Sequence, residues 1–326
     1  MAVARNESKW VNYAIFGLLG LLVGALILGG RGGGQQVIVV QQPTTQPAVQ
    51  PQQPVQPAKP ELYDEAKLAV YVRDTENHRL SNVTVELWAV WNLTAVKDKA
   101  FYATTGYDLF DRATTDARGR AIFTILADDY VLNVLQEQGT KLYAVAIPNA
   151  TYYREGVEVT LDVQDGKFTK KYYSTVIKVP YVAQFIDVYN PIVDLRGLKA
   201  NDKKEGTYNV LGIGENDKGI LRVYKVELAP GAQLANVTSF IKEFTVTIGG
   251  KTIEIIKDGE VKLDAAKNVT LGLQELKAGD KMKVTVKMVL SNTPDPAYDN
   301  AEVLRINIYD VRDQVVGQSS VRIDTA

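Results

Sequence analysis

Residues 67–88 read KLAVYVRDTENHRLSNVTVELW. Leu68, Val70 and Val72 alternate with Ala69, Tyr71 and Arg73, and Val83, Val85 and Leu87 alternate with Thr84, Glu86 and Trp88. A period of two in β-branched and aromatic residues predicts two strands, each with one face on a core. The polar run Asp74 to Arg79 between them reads as a turn. Downstream, Asp116-Ala-Arg-Gly119 is a second turn, and Ala121–Ile125 follows as a strand. Asp128-Asp129 then leads into a further predicted strand, Tyr130–Val134. Leu142–Ile147 and Val157–Val163 extend the pattern.

The order of these pieces resembles the transthyretin-like sandwich of collagen-adhesin B-type repeats and carboxypeptidase regulatory domains. The resemblance is carried by VYVRDTENHRLSNVTVEL, by TTDARGRAIFTI and by DYVLNV, and it covers Lys67 to Leu135. It implies a β-sandwich used for display rather than chemistry. Some adhesin relatives carry a Lys–Asn isopeptide crosslink promoted by an acidic residue. The resemblance places those lysine and acid positions near Ala69 and Val134, so it implies an uncrosslinked domain, with Lys67 the nearest lysine.

Further along, Met282, Val284, Val286, Met288 and Leu290 take one face of a strand whose other face is Lys281, Lys283, Thr285 and Lys287. Phe244, Val246 and Ile248 run into Gly249-Gly250, and Ile253 and Ile255 follow. A glycine pair between two such runs predicts a type I′ hairpin, which needs positive φ twice. Leu304, Ile306 and Ile308 give another strand. The approach Leu276-Lys-Ala-Gly-Asp280 resembles cell-adhesion-related immunoglobulin-like domains. Helix is expected only as a short turn within Asn236–Glu243. The expected class is therefore all-β: a transthyretin-like sandwich over 61–183 and an immunoglobulin-like one over 184–326.

Upstream of both, Tyr13 to Gly30 is 18 residues without a charge, with Trp10 and Tyr13 at its start. That length suits a membrane-spanning helix. Arg5 and Lys9 precede it and only Arg31 follows closely, which predicts residues 1–12 inside and the rest outside. A cleaved signal peptide is the competing reading; it too exports the remainder. Gly17, Gly20 and Gly24 share a helix face suited to close helix packing.

Residues 31–60 are glycine-rich and then Pro/Gln-rich. Six of the 12 prolines stand at 43, 47, 51, 54, 57 and 60. Such a run favours extended polyproline II at about 3.1 Å per residue and predicts a stalk. Val37-Ile-Val-Val40, flanked by glutamines, is β-prone and has no domain of its own. It reads as a strand for a neighbouring subunit's sheet edge, as an extension of the membrane segment, or as the start of the linker.

Composition excludes much chemistry. The 326 residues include no cysteine and one histidine, His78, which removes disulfides, thiolate metal sites and cysteine nucleophiles. A disulfide-free exported protein suits a prokaryotic or viral source. A net charge of −1 carries no signal for nucleic acid. Gly212-Ile-Gly214 is an incomplete dinucleotide fingerprint followed by a strand-like run. Asp295, Asp299 and Asn300 are weak candidates for calcium, with a solvated loop as the plainer reading; Asp108, Asp111 and Asp116 read the same way. No cofactor is implied. Asn-x-Ser/Thr sequons at Asn82, Asn92, Asn149, Asn236 and Asn268 mark candidate glycosylation on the outer side, and Asn6 lies on the predicted inner side. Tyr152-Tyr153 and Tyr172-Tyr173 each put one ring on either face of a strand, the outward one either a contact for sugar or protein or an ordinary half-buried strand tyrosine.

The expectation is a non-enzymatic, single-pass surface protein, structural or adhesive, on a cell envelope or a virion. Its partners would be the membrane, further copies of itself or neighbouring envelope or coat proteins, and a glycan. The alternative is an accessory sugar- or peptide-binding module of a membrane complex.

Overall fold

A computed structural model describes residues 60–136 and 139–326. The span at 13–30, Gly17, Gly20, Gly24, Val37–Val40 and the linker up to residue 59 lie outside the described residues. Among the described residues no helix is long and apolar enough to cross a membrane.

Period-two patterning produces strands almost throughout. The first half contains β1 (Glu65–Asp74), β2 (Thr84–Val90), α1 (Leu93–Asp98), β3 (Tyr107–Thr114), β4 (Arg120–Leu126), α2 (Asp129–Gln136), β5 (Lys141–Ile147), β6 (Glu155–Glu158), β7 (Val163–Gln164), β8 (Lys167–Phe168) and β9 (Tyr172–Val179). A three-stranded sheet of order β4-β1-β9 faces a four-stranded sheet of order β3-β2-β5-β6, and β7 and β8 form a small hairpin. Ala66, Leu68, Val70 and Val72 of β1 meet Val85, Leu87, Ala144 and Ala146 of the opposite sheet, all but excluded from solvent. β1 pairs antiparallel with β4 but parallel with β9, in register from Lys67↔Tyr172 to Asp74↔Val179.

Two expectations are corrected here. Residues 130–134 belong to helix α2, not to a strand. The Asp128 carboxylate accepts the Val131 N–H at 2.9 Å and the Asp128 carbonyl accepts Leu132 N–H at 3.0 Å, so Asp128 caps a helix instead of ending a turn. Val131 and Leu135, four apart, then face the core together. Strand β2 is not two-faced either, because six consecutive residues from Val85 to Val90 are buried. Its second face, with Trp88 and Val90, is covered by Val96 and Phe101 from α1 and the turn after it. Glu86, buried on that face, accepts Trp88 Nε1 at 2.8 Å and Arg112 Nε at 2.9 Å. Beyond β6 the ladder stops at Glu158, although Val159 and Leu161 still fill the core.

The second half contains β10 (Ile186–Val188), β11 (Ile192–Asp194), β12 (Lys203–Ile213), β13 (Leu221–Pro230), β14 (Ile241–Ile248), β15 (Lys251–Lys257), β16 (Glu260–Val261), β17 (Lys267–Leu276), β18 (Lys281–Leu290), β19 (Ala301–Asp310) and β20 (Val315–Asp324). A six-stranded sheet of order β10-β12-β18-β14-β15-β16 stacks on a five-stranded sheet of order β11-β20-β19-β13-β17. The even-numbered residues of β18 face a core shared with β13 and β19, as their alternation predicts. Gly249 and Gly250 join β14 to β15 with φ of 55° and 75°, the left-handed pair a type I′ turn requires. The short helical turn is a 3-10 turn at Asn236–Ser239.

Candidate functional site at the joint between the sandwiches

The linker Pro180–Phe185 is fixed by backbone hydrogen bonds on both sides. Tyr153 N–H donates to the Pro180 carbonyl and Val182 N–H to the Thr151 carbonyl, each at 2.9 Å. On the other side Ile220 N–H donates to the Tyr181 carbonyl at 2.9 Å, and Ala183 N–H to the Ile220 carbonyl at 2.8 Å. The Asp217 carboxylate accepts the Gln184 and Phe185 N–H groups, both at 2.7 Å. The two segments touch so closely that a Cβ on Gly219 would lie 2.5 Å from Ala183 N. Only glycine permits that approach.

Behind the linker sits a buried ring between two cations. Tyr153 is fully buried, with the guanidinium groups of Arg312 and Arg222 at 4.9 and 5.6 Å from its ring centre. Its hydroxyl donates to Asp310 at 3.4 Å and accepts Arg222 N–H at 3.4 Å. Burial first, and the Asp310 charge second, push its pKa up to about 12. Asp310 is wholly buried and accepts Arg312 Nε at 2.6 Å together with the Arg312 and Gln314 N–H groups. Arg222 reaches back into the first sandwich, donating to Glu155 at 2.7 Å and to the Arg154 carbonyl at 3.0 Å, while its Nε reaches Glu275 at 3.2 Å. Ala100, Val311, Tyr102 and Leu273 close an apolar patch around this network.

Charge also crosses the joint at its rims. Lys99 of the first sandwich and Lys225 of the second both pair with Asp313, at 3.2 and 3.1 Å. Burial would raise the Asp313 pKa, but the two lysines outweigh it and hold it below the ordinary value. At another rim Lys218 pairs with Glu76 at 2.7 Å. There Asp74 accepts the Tyr181 hydroxyl, and it accepts His78 N–H at 2.8 Å with His78 Nδ1 at 2.9 Å. The bond to Asp74, and after it the one to Tyr152, raises the Tyr181 pKa.

Among the described residues, Asp74, Glu76 and His78 are the group whose potential ligand atoms converge, within 4.8 Å of one another. The buried Asp74 carboxylate already accepts Tyr181 and His78, and Glu76 holds Lys218, so protein donors occupy the cluster and tie the turn to the linker. The sequence placed His78 only within a polar turn. Its ring is exposed, and the contact with a buried aspartate is the part a linear pattern does not carry.

Asp295, Asp299 and Asn300 serve the backbone and Arg322. Asp295 caps a 3-10 turn through Ala297 N–H at 2.9 Å, Asp299 accepts Thr325 N–H at 3.3 Å, and Asn300 accepts Arg322 at 3.3 Å. Asp116 likewise accepts the N–H groups of Arg118 and Arg120 at 2.8 and 3.0 Å. All five outer sequon asparagines are exposed. Asn92 also caps α1 by accepting Ala95 N–H at 3.2 Å and lies beside a cleft of about 550 Å³ bounded by Lys99, Tyr102 and Tyr224. Tyr153 is the buried member of its pair, with Tyr152 against Tyr181 at 4.7 Å; Tyr172 is the exposed member of the other. Ala69 and Lys67, the positions bearing on an isopeptide bond, both stand on the outer face of β1, away from the core.

No family model matches the chain, and no curated protein matches it. Solved structures match loosely. The major pilin SpaD of Corynebacterium diphtheriae is 13% identical, with 82% of this chain and 68% of that one covered at a TM-score of 0.27. The major pilin BcpA of Bacillus cereus is 11% identical over 79% and 69%, at 0.24. A 3-chlorocatechol 1,2-dioxygenase from Rhodococcus opacus is 12% identical over 37% of this chain, at 0.23, and the match spans 61% of that enzyme's length. At these scores the likenesses assign no activity. What this chain is rests on its own geometry: an all-β protein whose two sandwiches are locked through a hydrogen-bonded linker and a buried arginine–tyrosine–aspartate core.

Proposed function

We propose that the chain is a membrane-anchored, outward-facing structural or adhesive protein that displays a transthyretin-like and an immunoglobulin-like sandwich on a stalk. The observation that carries this reading is the joint. Six residues of linker are held on both sides, and charges from each sandwich cross it, which couples the two halves. Surface scaffolds need that stiffness to hold a distal face at a set distance. The uncharged segment 13–30, the proline run and the exposed sequon asparagines support export and display. The anchor packs through Gly17, Gly20 and Gly24, and glycans stand on Asn82, Asn92, Asn149, Asn236 and Asn268. The source is an envelope or a virion, and the reading is non-enzymatic.

Protease shaving of intact cells or particles is the test. The reading expects a tag at the C-terminus to be removed while an N-terminal tag survives. A protected C-terminal tag refutes it. A second reading, a sugar- or peptide-binding module, is favoured by the cleft beside Tyr102, Tyr224 and Lys99. It expects calorimetric binding of an oligosaccharide that Tyr224→Ala abolishes.

A further inference from the structure

Sheet edges present unpaired backbone groups, and most proteins blunt them with charges, bulges or very short strands. In the second sandwich β10, β11 and β16 have two or three residues each, and β17 carries a bulge at Gly272, with φ of 75°. In the first, β6 has four residues, and β3 carries Asp108, Asp111 and Arg112. β9 has lysine at both ends, with Lys170 and Lys171 just before it and Lys178 within it. Among the described strands β4 is the edge that remains. It spans seven residues, pairs with β1 without a bulge, and has no charge after Arg120.

The direction of its free groups follows from the ladder. Val72 N–H donates to the Gly119 carbonyl and Ala127 N–H to the Asp64 carbonyl, both at 2.8 Å. Between these bonds the register runs Val70↔Ala121, Leu68↔Phe123 and Ala66↔Ile125. Odd-numbered residues of β4 therefore bond to β1, and even-numbered ones turn N–H and C=O away from the sheet. Arg120, the first of these, is already satisfied. Its N–H donates to the Asp116 carboxylate at 3.0 Å, and its carbonyl accepts Asp116 N–H at 2.9 Å. That leaves Ile122, Thr124 and Leu126, all exposed, the two apolar ones at 47% and 54%. Opposite charges bracket them: Arg118 and Arg120 stand before, and the exposed Asp128 and Asp129 stand after.

We infer that β4 is a self-pairing edge: the β4 strands of two copies join antiparallel about a two-fold axis at Thr124. In this register Thr124 meets Thr124 of the second copy and Ile122 meets its Leu126, each pair exchanging both backbone hydrogen bonds. Any other register sets a free residue against one that is already bonded, or past the strand end. The occupant is a second copy because the edge is complementary to itself. Antiparallel pairing brings Arg118 and Arg120 to the Asp128–Asp129 end of the second copy, whereas parallel pairing would set like charges together. Asp116, 3.2 Å from Arg120, shares that charge, and Arg118 adds to it. The same operation on β9 about Ser174 sets Lys170 against Lys178, a repulsive pair. An isologous contact of this kind closes at a dimer. The contact is small, and tethering of copies to one surface raises their effective concentration. This names a partner for the structural reading above and rests on it for the setting, not for the geometry.

Absence of native cysteine makes disulfide trapping clean. In the full-length chain Thr124→Cys puts one thiol from each copy on the axis, where paired Cα atoms stand about 5.5 Å apart, within disulfide range. Oxidised and run without reductant, it should give a covalent dimer and no higher band. That dimer should be several-fold more abundant than from Leu109→Cys on β3 or Ser174→Cys on β9. No dimer, an equal dimer from either control, or a ladder beyond the dimer overturns the inference. Hydrogen exchange adds a readout without crosslinks. Thr124→Lys opposes two like charges on the axis, so the Ile122 and Leu126 amides should exchange about tenfold faster or more in that variant. The Val70 amide, bonded within the sheet, should keep its rate; unchanged rates at Ile122 and Leu126 overturn the inference. Shaving and trapping report separately, so an exported chain without a dimer sinks only the pairing.

Discussion

Replacing Arg222 by alanine removes the side chain that spans the joint. Arg222 is almost wholly buried, while its partners Glu155 and Glu275 are partly exposed, so water recovers part of what each carboxylate loses. A charge-assisted hydrogen bond contributes about 1.5–3 kcal/mol when dry, and solvent screening brings each of these two nearer 1 kcal/mol. The Arg154 carbonyl, which accepts Arg222 at 3.0 Å, is left without that donor, a loss of about 1 kcal/mol or more for a group out of water. The expected destabilisation is about 3 kcal/mol, or roughly 6–12 °C in melting temperature for a folded part of this size. Breaking a fully buried pair would lose more.

The assay uses the distribution of tryptophan. The chain has three, Trp10, Trp88 and Trp91. In a Trp10→Phe background fluorescence reports the first sandwich alone, whereas far-ultraviolet dichroism reports both. Arg222 belongs to the second. With the joint intact the two signals should share one denaturant midpoint; in Arg222→Ala they should separate, because the sandwiches lose their coupling. Coincident transitions with a midpoint unchanged from the parent would refute the claim that this network joins the two cores.

Gly219→Ala should loosen the same joint from the backbone side, since its Cβ would meet Ala183 N at 2.5 Å; a loss of about 1–3 kcal/mol is expected in denaturant titration, and neutrality would mean the strap yields freely. For Asp74, burial raises the pKa, but hydrogen bonds from Tyr181 and His78 outweigh it and leave it below 3.8. A depressed carboxylate stabilises the fold above its unfolded value and loses that contribution as pH falls through the folded one. The stability gap between the parent and Asp74→Asn should therefore be constant at neutral pH and shrink only below pH 3.8; a gap already closing near pH 6 would contradict this assignment. Asp128→Ala should lower stability by about 1 kcal/mol through loss of the α2 cap, read by thermal melting, and no change would argue against the capped helix. Pulled between residues 60 and 180, the first sandwich should rupture at higher force than when pulled between residues 60 and 126, and equal forces would contradict the register of β1.

Strands were legible because a half-buried sheet writes its two faces into alternate residues. Lys281–Leu290 was read with its observed ends, and Gly249-Gly250 announced its own turn. β2 was misread as two-faced because alternation within a strand does not show that the next element, α1, folds straight back over its second face. Residues 130–134 satisfy both periods: Tyr130, Leu132 and Val134 alternate, while Val131 and Leu135 are four apart. The Asp128 cap decided between them, and a cap and a turn use the same residue types. The joint was illegible for a different reason. Tyr153, Arg222, Glu275 and Asp310 come from four separated segments, and only the closed fold brings them within reach. A buried aspartate two residues from an arginine in a hairpin, as in Asp310 and Arg312, was the one local hint.

Topology gives the first sandwich a shear geometry that its residue types alone do not reveal. The chain enters at the start of β1 and leaves for the second sandwich at the end of β9, where Val179 meets the strapped Pro180. Because β1 and β9 are parallel, with Lys67 opposite Tyr172 and Asp74 opposite Val179, these two points lie at opposite ends of one ladder. Tension along the chain therefore slides β1 past β9, and every hydrogen bond between them shares the load. Had the pair been antiparallel, the same tension would have opened the bonds one after another from one end. A strapped linker adds to this, since force reaching Pro180 is divided among Thr151, Tyr153 and Ile220 before it bears on Val179.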